Sequence, residues 1–219
     1  MATRLVLAEL TAAYRQAVGV EVAIESVGGV DAAKRVQAGE ALDVVVLAAD
    51  AIDKLIAGGS VLAGSRIDLV RSPVAIAVRS GSPRPDISSE TALRASVLAA
   101  RSLGYSTGPS GTALLALFER WGIADELRAR IVQAPPGVPV GKLVADGVVE
   151  LGFQQLSEML SQTGIEVIGA MPPGTEIVTT FSGGICAAST QVEAARTLLA
   201  WLQSPVAASA KLRHGMEPT

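Results

Sequence analysis

Cysteine, histidine, aromatic side chains and blocks of like charge are all scarce in this 219-residue chain. The lone Cys186 has no partner for an internal disulfide. Its apolar setting, FSGGICAAS, points to a small buried residue. The lone His214 lies in the tail KLRHGMEP, where it caps or decorates a helix end. No second His or Cys stands near either, so no metal site is expected, and Ser–His catalysis is poorly supported. Aromatics are 3% of residues, too few for the stacking platforms that bind single-stranded nucleic acid. Net charge is −3 with no basic block, which argues against nucleic-acid or membrane-surface partners. No apolar run reaches membrane-spanning length. Residues 1–18 carry Arg4, Glu9 and Arg15 at helical spacing and lack a secretory pattern, so the chain as written is expected in the cytoplasm.

What the chain does have is 49% hydrophobic and 18% charged residues, enough for one large domain or two small lobes with a real core. Its periodicities predict helices over 2–18, 31–38, 50–57, 89–96, 111–121, 139–147, 191–203 and 206–213. Strands are predicted over 20–26, 44–48, 67–71, 74–79, 103–106, 130–134, 149–155, 165–168, 176–182 and 185–189. Such alternation builds parallel, doubly wound α/β sheets, whose ligands bind beyond the carboxyl ends of strands.

The richest stretch is GYSTGPSGTALLALFERWGI at 104–123, a Gly/Ser/Thr loop entering an apolar-periodic helix. Ser106, Thr107, Ser110 and Thr112 supply hydroxyls. Gly108 and Gly111 let backbone amides approach a bound group. With unpaired N–H groups and the positive end of the helix dipole, they form an anion cradle. A plain capped junction would read the same way. Two more glycine turns follow predicted strands: Ser26-Val27-Gly28-Gly29, and Pro135-Pro136-Gly137 ahead of Val140 and Gly141. Asp50 suits a helix cap better than a contact with an anion. Arg71 and Arg79 suit surface ion pairs. Gln155, in the strand-end sequence Phe153-Gln154-Gln155, offers two donors and an acceptor. Glu158 and Tyr105 are weak candidates for acid–base work, each with a structural alternative: a solvated helix start and a core ring.

The succession SVGG (26–29), VQAGEALDVVVLA (36–48), AIDKLIAGG (51–59), DLVRSPVAIAVR (68–79), GYSTGPSG, PPGVPVGKLVADGVVELGFQQLSE (135–158) and LLAWLQSP…GMEP resembles molybdate-binding-protein-like chains of the type 2 periplasmic-binding-protein fold. That resemblance implies an α/β fold of two lobes, each a doubly wound, mostly parallel sheet, with a ligand cleft between them. The lobes would be residues 1–75 plus 179–219, and 76–178. The implied ligand donors are Ser26, Gly28, Gly29, Ser106, Ser110, Gly111, Thr112, Val140, Gly141 and Gln155, with no cofactor and no metal. The expected partner is a small anionic solute, an oxyanion or organic carboxylate, captured as by a substrate-binding protein. The alternative is an isomerase of unsaturated tricarboxylates, like the aconitate-isomerase-like branch.

Two departures stand out. The family's members usually begin with a strand ahead of the first helix, whereas Met1 falls at the loop opening that helix. A start further upstream would restore the strand and make a periplasmic location consistent; otherwise a homo-oligomer is one way to complete the sheet. Phe153-Gln154-Gln155 also replaces a loop that usually bears tyrosine, which favours organic carboxylates over molybdate.

Overall fold

The computed structural model describes all of residues 1–219. The chain forms two compact units, Met1–Ser72 with Thr179–Thr219, and Pro73–Val178.

The first unit begins with α1 (Arg4–Val18), which buries Val6, Leu10 and Tyr14 at four-residue spacing. Gly19, at φ 77°, ends it by donating its N–H to the Arg15 carbonyl. Then come α2 (Gly29–Gln37), β1 (Val44–Ala48), α3 (Ala49–Ala57) and the first half of β2 (Ile67–Arg79). The chain returns through β7 (Val178–Ile185), α9 (Val192–Gln203), α10 (Ala208–Arg213) and β8 (Glu217–Pro218). The strand order is β1–β7–β2, with β8 also against β2. One core joins the α1 stripe to Leu198, Leu199 and Leu202 of α9 and to Leu69, Val70 and Phe181 of the sheet. Tyr14 and Trp201 meet edge to face at 5.4 Å. Asp68 accepts a 2.6 Å hydrogen bond from Ser182 Oγ and pairs with Arg66, which holds its carboxyl below the usual range. Cys186 is buried, and desolvation pushes its thiol up to about 11. His214 is the residue that ends α10, and its Nε2 lies 2.8 Å from Glu9. Arg71 pairs with Glu217.

The second unit holds the rest of β2, α4 (Glu90–Ala99), β3 (Leu103–Tyr105), α5 (Pro109–Arg120), α6 (Ala124–Leu127), β4 (Ile131–Gln133), α7 (Val140–Ala145), β5 (Leu151–Gln155), α8 (Leu156–Met159) and β6 (Ile165–Ala170). Strands β4, β3 and β5 run parallel. Both β5 and β6 pair antiparallel with β2. Phe118, Phe153, Leu103, Leu114 and Val97 centre the core.

Three expectations change. The sheets are mixed rather than mostly parallel. The β1–β7 and β2–β8 pairs of the first unit are antiparallel, as are β2–β5 and β2–β6, whereas β3 runs parallel to β4 and β5. Helical connections join β2 to β1 and β3, but β2 lies beside β7 and β5, so those connections do not set the direction of its pairing. The strands predicted at 67–71 and 74–79 are one strand, because Pro73 lacks only a donor and Val74 resumes bonding through its own N–H to Ile177. Residues 20–26, predicted as a strand from VEVAIES, form none. Alternation defines two faces, but a strand also needs a neighbour to satisfy its backbone.

One buried group is costly. Lys211 of α10 is 1% exposed, its Nζ has no partner, and burial lowers its pKa below 10.5. An unpaired ammonium in the core opposes folding. Lys211→Met should therefore raise stability at neutral pH by roughly 1–3 kcal/mol. Below the lowered folded-state pKa, both folded and unfolded chains hold the proton and the penalty is full. Between that value and 10.5 the unfolded chain binds more protons, so wild-type stability rises with pH and its gap to the variant narrows. Urea unfolding at several pH values checks this; a gap that widens with rising pH refutes it.

Candidate functional site

The carboxyl ends of β3 and β4 are level in the second unit, and β5 runs two residues further, to Gln155. Tyr105 stands beside Gln133 on one side and Phe153 on the other, and Gln155 opposes Val74 of β2. The loops leaving those ends carry most of the sequence-predicted donors.

After β3 the chain turns sharply into α5. Ser106 Oγ and Ser110 Oγ are 2.9 Å apart, and Gly108 N–H also donates to Ser106 Oγ at 3.3 Å. The approach is close because Gly111 has no side chain. A Cβ there would stand 1.9 Å from the Ser106 carbonyl oxygen. Tyr105 packs on the core and on the same glycine.

The amide cradle is smaller than the sequence suggests. Pro109, the first residue of α5, has no N–H. The amides of Gly111 and Thr112 are both given to the Gly108 carbonyl. Gly111 therefore serves by its small size. Thr112 is exposed on the helix. The hydroxyls of Ser106 and Ser110 form the built part of this loop, and Ser110 is 3% exposed.

Val140 is likewise corrected as an amide donor. Its N–H gives a 2.8 Å buried hydrogen bond to Oε1 of Gln154. This ties the start of α7 to the end of β5 and leaves the Gln154 amide nitrogen with its two donors. Gly141 is buried, and a Cβ there would stand 2.7 Å from Gln162 Cγ, so close packing explains it as well. Gln155 is 2% exposed. Beyond it lies Ser157, 6% exposed, whose hydroxyl has no partner. Glu158 is half-buried in the first turn of α8 and engaged with a neighbour.

Ser26, Gly28 and Gly29 belong to the first unit. Ser26 is exposed, and Gly28 begins α2, its carbonyl accepting from Ala32 N–H. Neither glycine has a positive φ. The Asp31 carboxylate already sits at this end of α2, Oδ2 3.5 Å from a Cβ built on Gly28, and opposes an anion there.

Sequence reasoning passed over three groups. Gln154 was overshadowed by Gln155; only strand register shows which glutamine meets α7. Thr3, 8% exposed at the start of α1, makes no capping bond. Its position before an apolar-periodic run was the available signal. Ser157 carried no signal. Two hollows in the second unit lie elsewhere, the larger about 410 Å³ beside α5 and lined by Ala113, Ala116, Arg120 and Ile177; none of the predicted donors lines either. No helix is long and apolar enough to cross a membrane.

These neutral donors lie beyond strand ends of an α/β unit, where such folds hold small ligands. Residues 1–217 match the bacterial extracellular solute-binding protein family, and the chain belongs to it. It is 39% identical to an aconitate isomerase of Pseudomonas sp. over 216 residues, which span 96% of this chain and 82% of that protein. Its fold is that of type 2 periplasmic binding proteins. A substrate-binding domain of a putative molybdenum ABC transporter from Clostridium difficile superposes with a TM-score of 0.78 at 16% identity, covering 100% of this chain and 95% of that one. The periplasmic molybdate-binding protein of Azotobacter vinelandii gives 0.79 at 20% identity, covering 98% and 94%.

Proposed function

We propose that this chain isomerises an unsaturated tricarboxylate of the aconitate type, holding its carboxylates with the serine and glutamine donors of the second unit. The observation that carries this reading is the 39% identity to an aconitate isomerase along nearly the whole chain. The donor set agrees with it. Ser106, Ser110 and the Gln154 amide are uncharged, directional groups, suited to several carboxylate oxygens. The buried hydroxyl of Ser157 has no partner within the protein and is a natural donor for a bound oxygen.

Isomerisation takes a proton from the CH₂ carbon next to the double bond. The electron pair shifts through the allylic system, and a proton returns at the former vinylic carbon. Charge builds on the attached carboxylate, where fixed donors stabilise it. The proton carrier is to be sought between Glu158 and Tyr105.

The test follows trans-aconitate with the purified chain by proton NMR. Conversion to the cis isomer is expected, and Ser110→Ala should raise KM about tenfold, the loss of one charge-assisted hydrogen bond. Glu158→Gln and Tyr105→Phe identify the carrier by loss of kcat at unchanged KM. The second reading is reversible capture without chemistry, favoured by the family. Tight binding of molybdate with no conversion of either aconitate would overturn the isomerase in its favour.

A further inference from the structure

Gln154 meets two opposite demands with one planar group. A carboxamide has an acceptor at one end and donors at the other. The buried Val140 N–H can only donate, so the atom 2.8 Å from it must be Oε1. The backbone of α7 thus fixes the orientation of the amide, with no choice left between two atoms of similar size. Nε2 then carries two N–H groups, neither of them given to another atom of the protein. Gln154 is 3% exposed, so little water reaches those groups, and an acceptor on a bound molecule would stabilise them.

Strand register sets these donors beside the serine loop. Tyr105 of β3 and Phe153 of β5 are ladder partners, and Ser106 and Gln154 are the next residue along each strand. Neighbouring strands lie about 4.8 Å apart. The Ser106–Ser110 pair holds two hydroxyl protons; one bridges the pair, and the other is left to donate outward. The amides of Gly111, Thr112 and Val140 are spent inside the unit, and Pro109 has none. Side chains therefore carry the recognition at these strand ends, and Gln154 is the one whose orientation is locked.

We infer that Gln154 is a specificity-determining residue: it presents donors only, and the ligand group set against it is an ionised carboxylate. This rests on the carboxylate ligand proposed above. A carboxylate offers acceptors alone, whereas an ammonium group would set hydrogens against hydrogens. Gln154→Glu separates the two demands on this position. One oxygen of the new side chain still accepts from Val140, and the other opposes the ligand with an acceptor and a negative charge.

The test titrates isotope-labelled protein with trans-aconitate and follows the side-chain NH₂ signals of Gln154 by NMR. Calorimetry then compares Gln154→Glu with the wild type at alkaline pH. The NH₂ protons should move downfield as the ligand saturates. The variant should bind trans-aconitate at least about tenfold more weakly, the loss of a charge-assisted hydrogen bond, while melting within a few degrees of the wild type. Should the new charge unfold the variant, the wild-type NH₂ signals decide alone. Signals that stay still in trans-aconitate overturn the inference. So does a folded Gln154→Glu with wild-type affinity. A shift caused by molybdate and not by trans-aconitate overturns it too, because the group read there is then no carboxylate. Absence of conversion counts against the isomerase reading alone: if the Gln154 signals still move and Gln154→Glu still loses affinity, the assignment of Gln154 stands.

Discussion

Gly111→Ala is expected to cost more than about 3 kcal/mol, the severe end of overpacking. The sign is informative, because inside a helix alanine is ordinarily the better residue by about 1 kcal/mol. Gly111 has no positive φ, so its backbone permits a side chain. Space forbids one: the new Cβ would lie 1.9 Å from the Ser106 carbonyl oxygen, 2.9 Å from its carbon and 3.0 Å from the Tyr105 ring. Backbone cannot swing aside like a flexible side chain, so α5 must move from the end of β3. That movement separates Ser106 from Ser110 and removes ligand binding with stability. Gly108→Ala is the contrast. Its Cβ would meet nothing nearer than Ser106 Oγ at 3.7 Å, so its cost should stay below about 1 kcal/mol. Urea unfolding of both variants decides the matter; equal costs would show that the tight turn relaxes freely.

Gln154→Leu should cost roughly 1–3 kcal/mol, because it leaves the buried Val140 N–H without its acceptor. For a chain of this size that is a fall in Tm of several degrees. The same change releases the first turn of α7 from β5 and removes two amide donors, so kcat/KM for trans-aconitate should fall at least tenfold. Gln133→Leu, at the exposed end of β4, one strand beyond β3, serves as control and should change stability by less than about 0.5 kcal/mol. Unchanged activity in Gln154→Leu would remove this glutamine from the site.

The sequence by itself determined the α/β class, because alternating helical and extended periodicities with capping and turn residues are local signals. The stripe Val6, Leu10, Tyr14, the stop at Gly19, and the loop of Ser106 and Ser110 entering a helix were all legible in that way. The resemblance of its ordered motifs to one family supplied the fold. Tertiary structure alone decided pairing and space. It showed that Gly111 is there for a close approach to Ser106, that the Val140 amide belongs to Gln154, and that Lys211 is buried without a partner. It also left VEVAIES without a strand. Periodicity reports which face of a segment is apolar, whereas a hydrogen-bond partner, a register or a missing Cβ depends on atoms distant in the chain. Those exist for the segment only once the fold has brought them there.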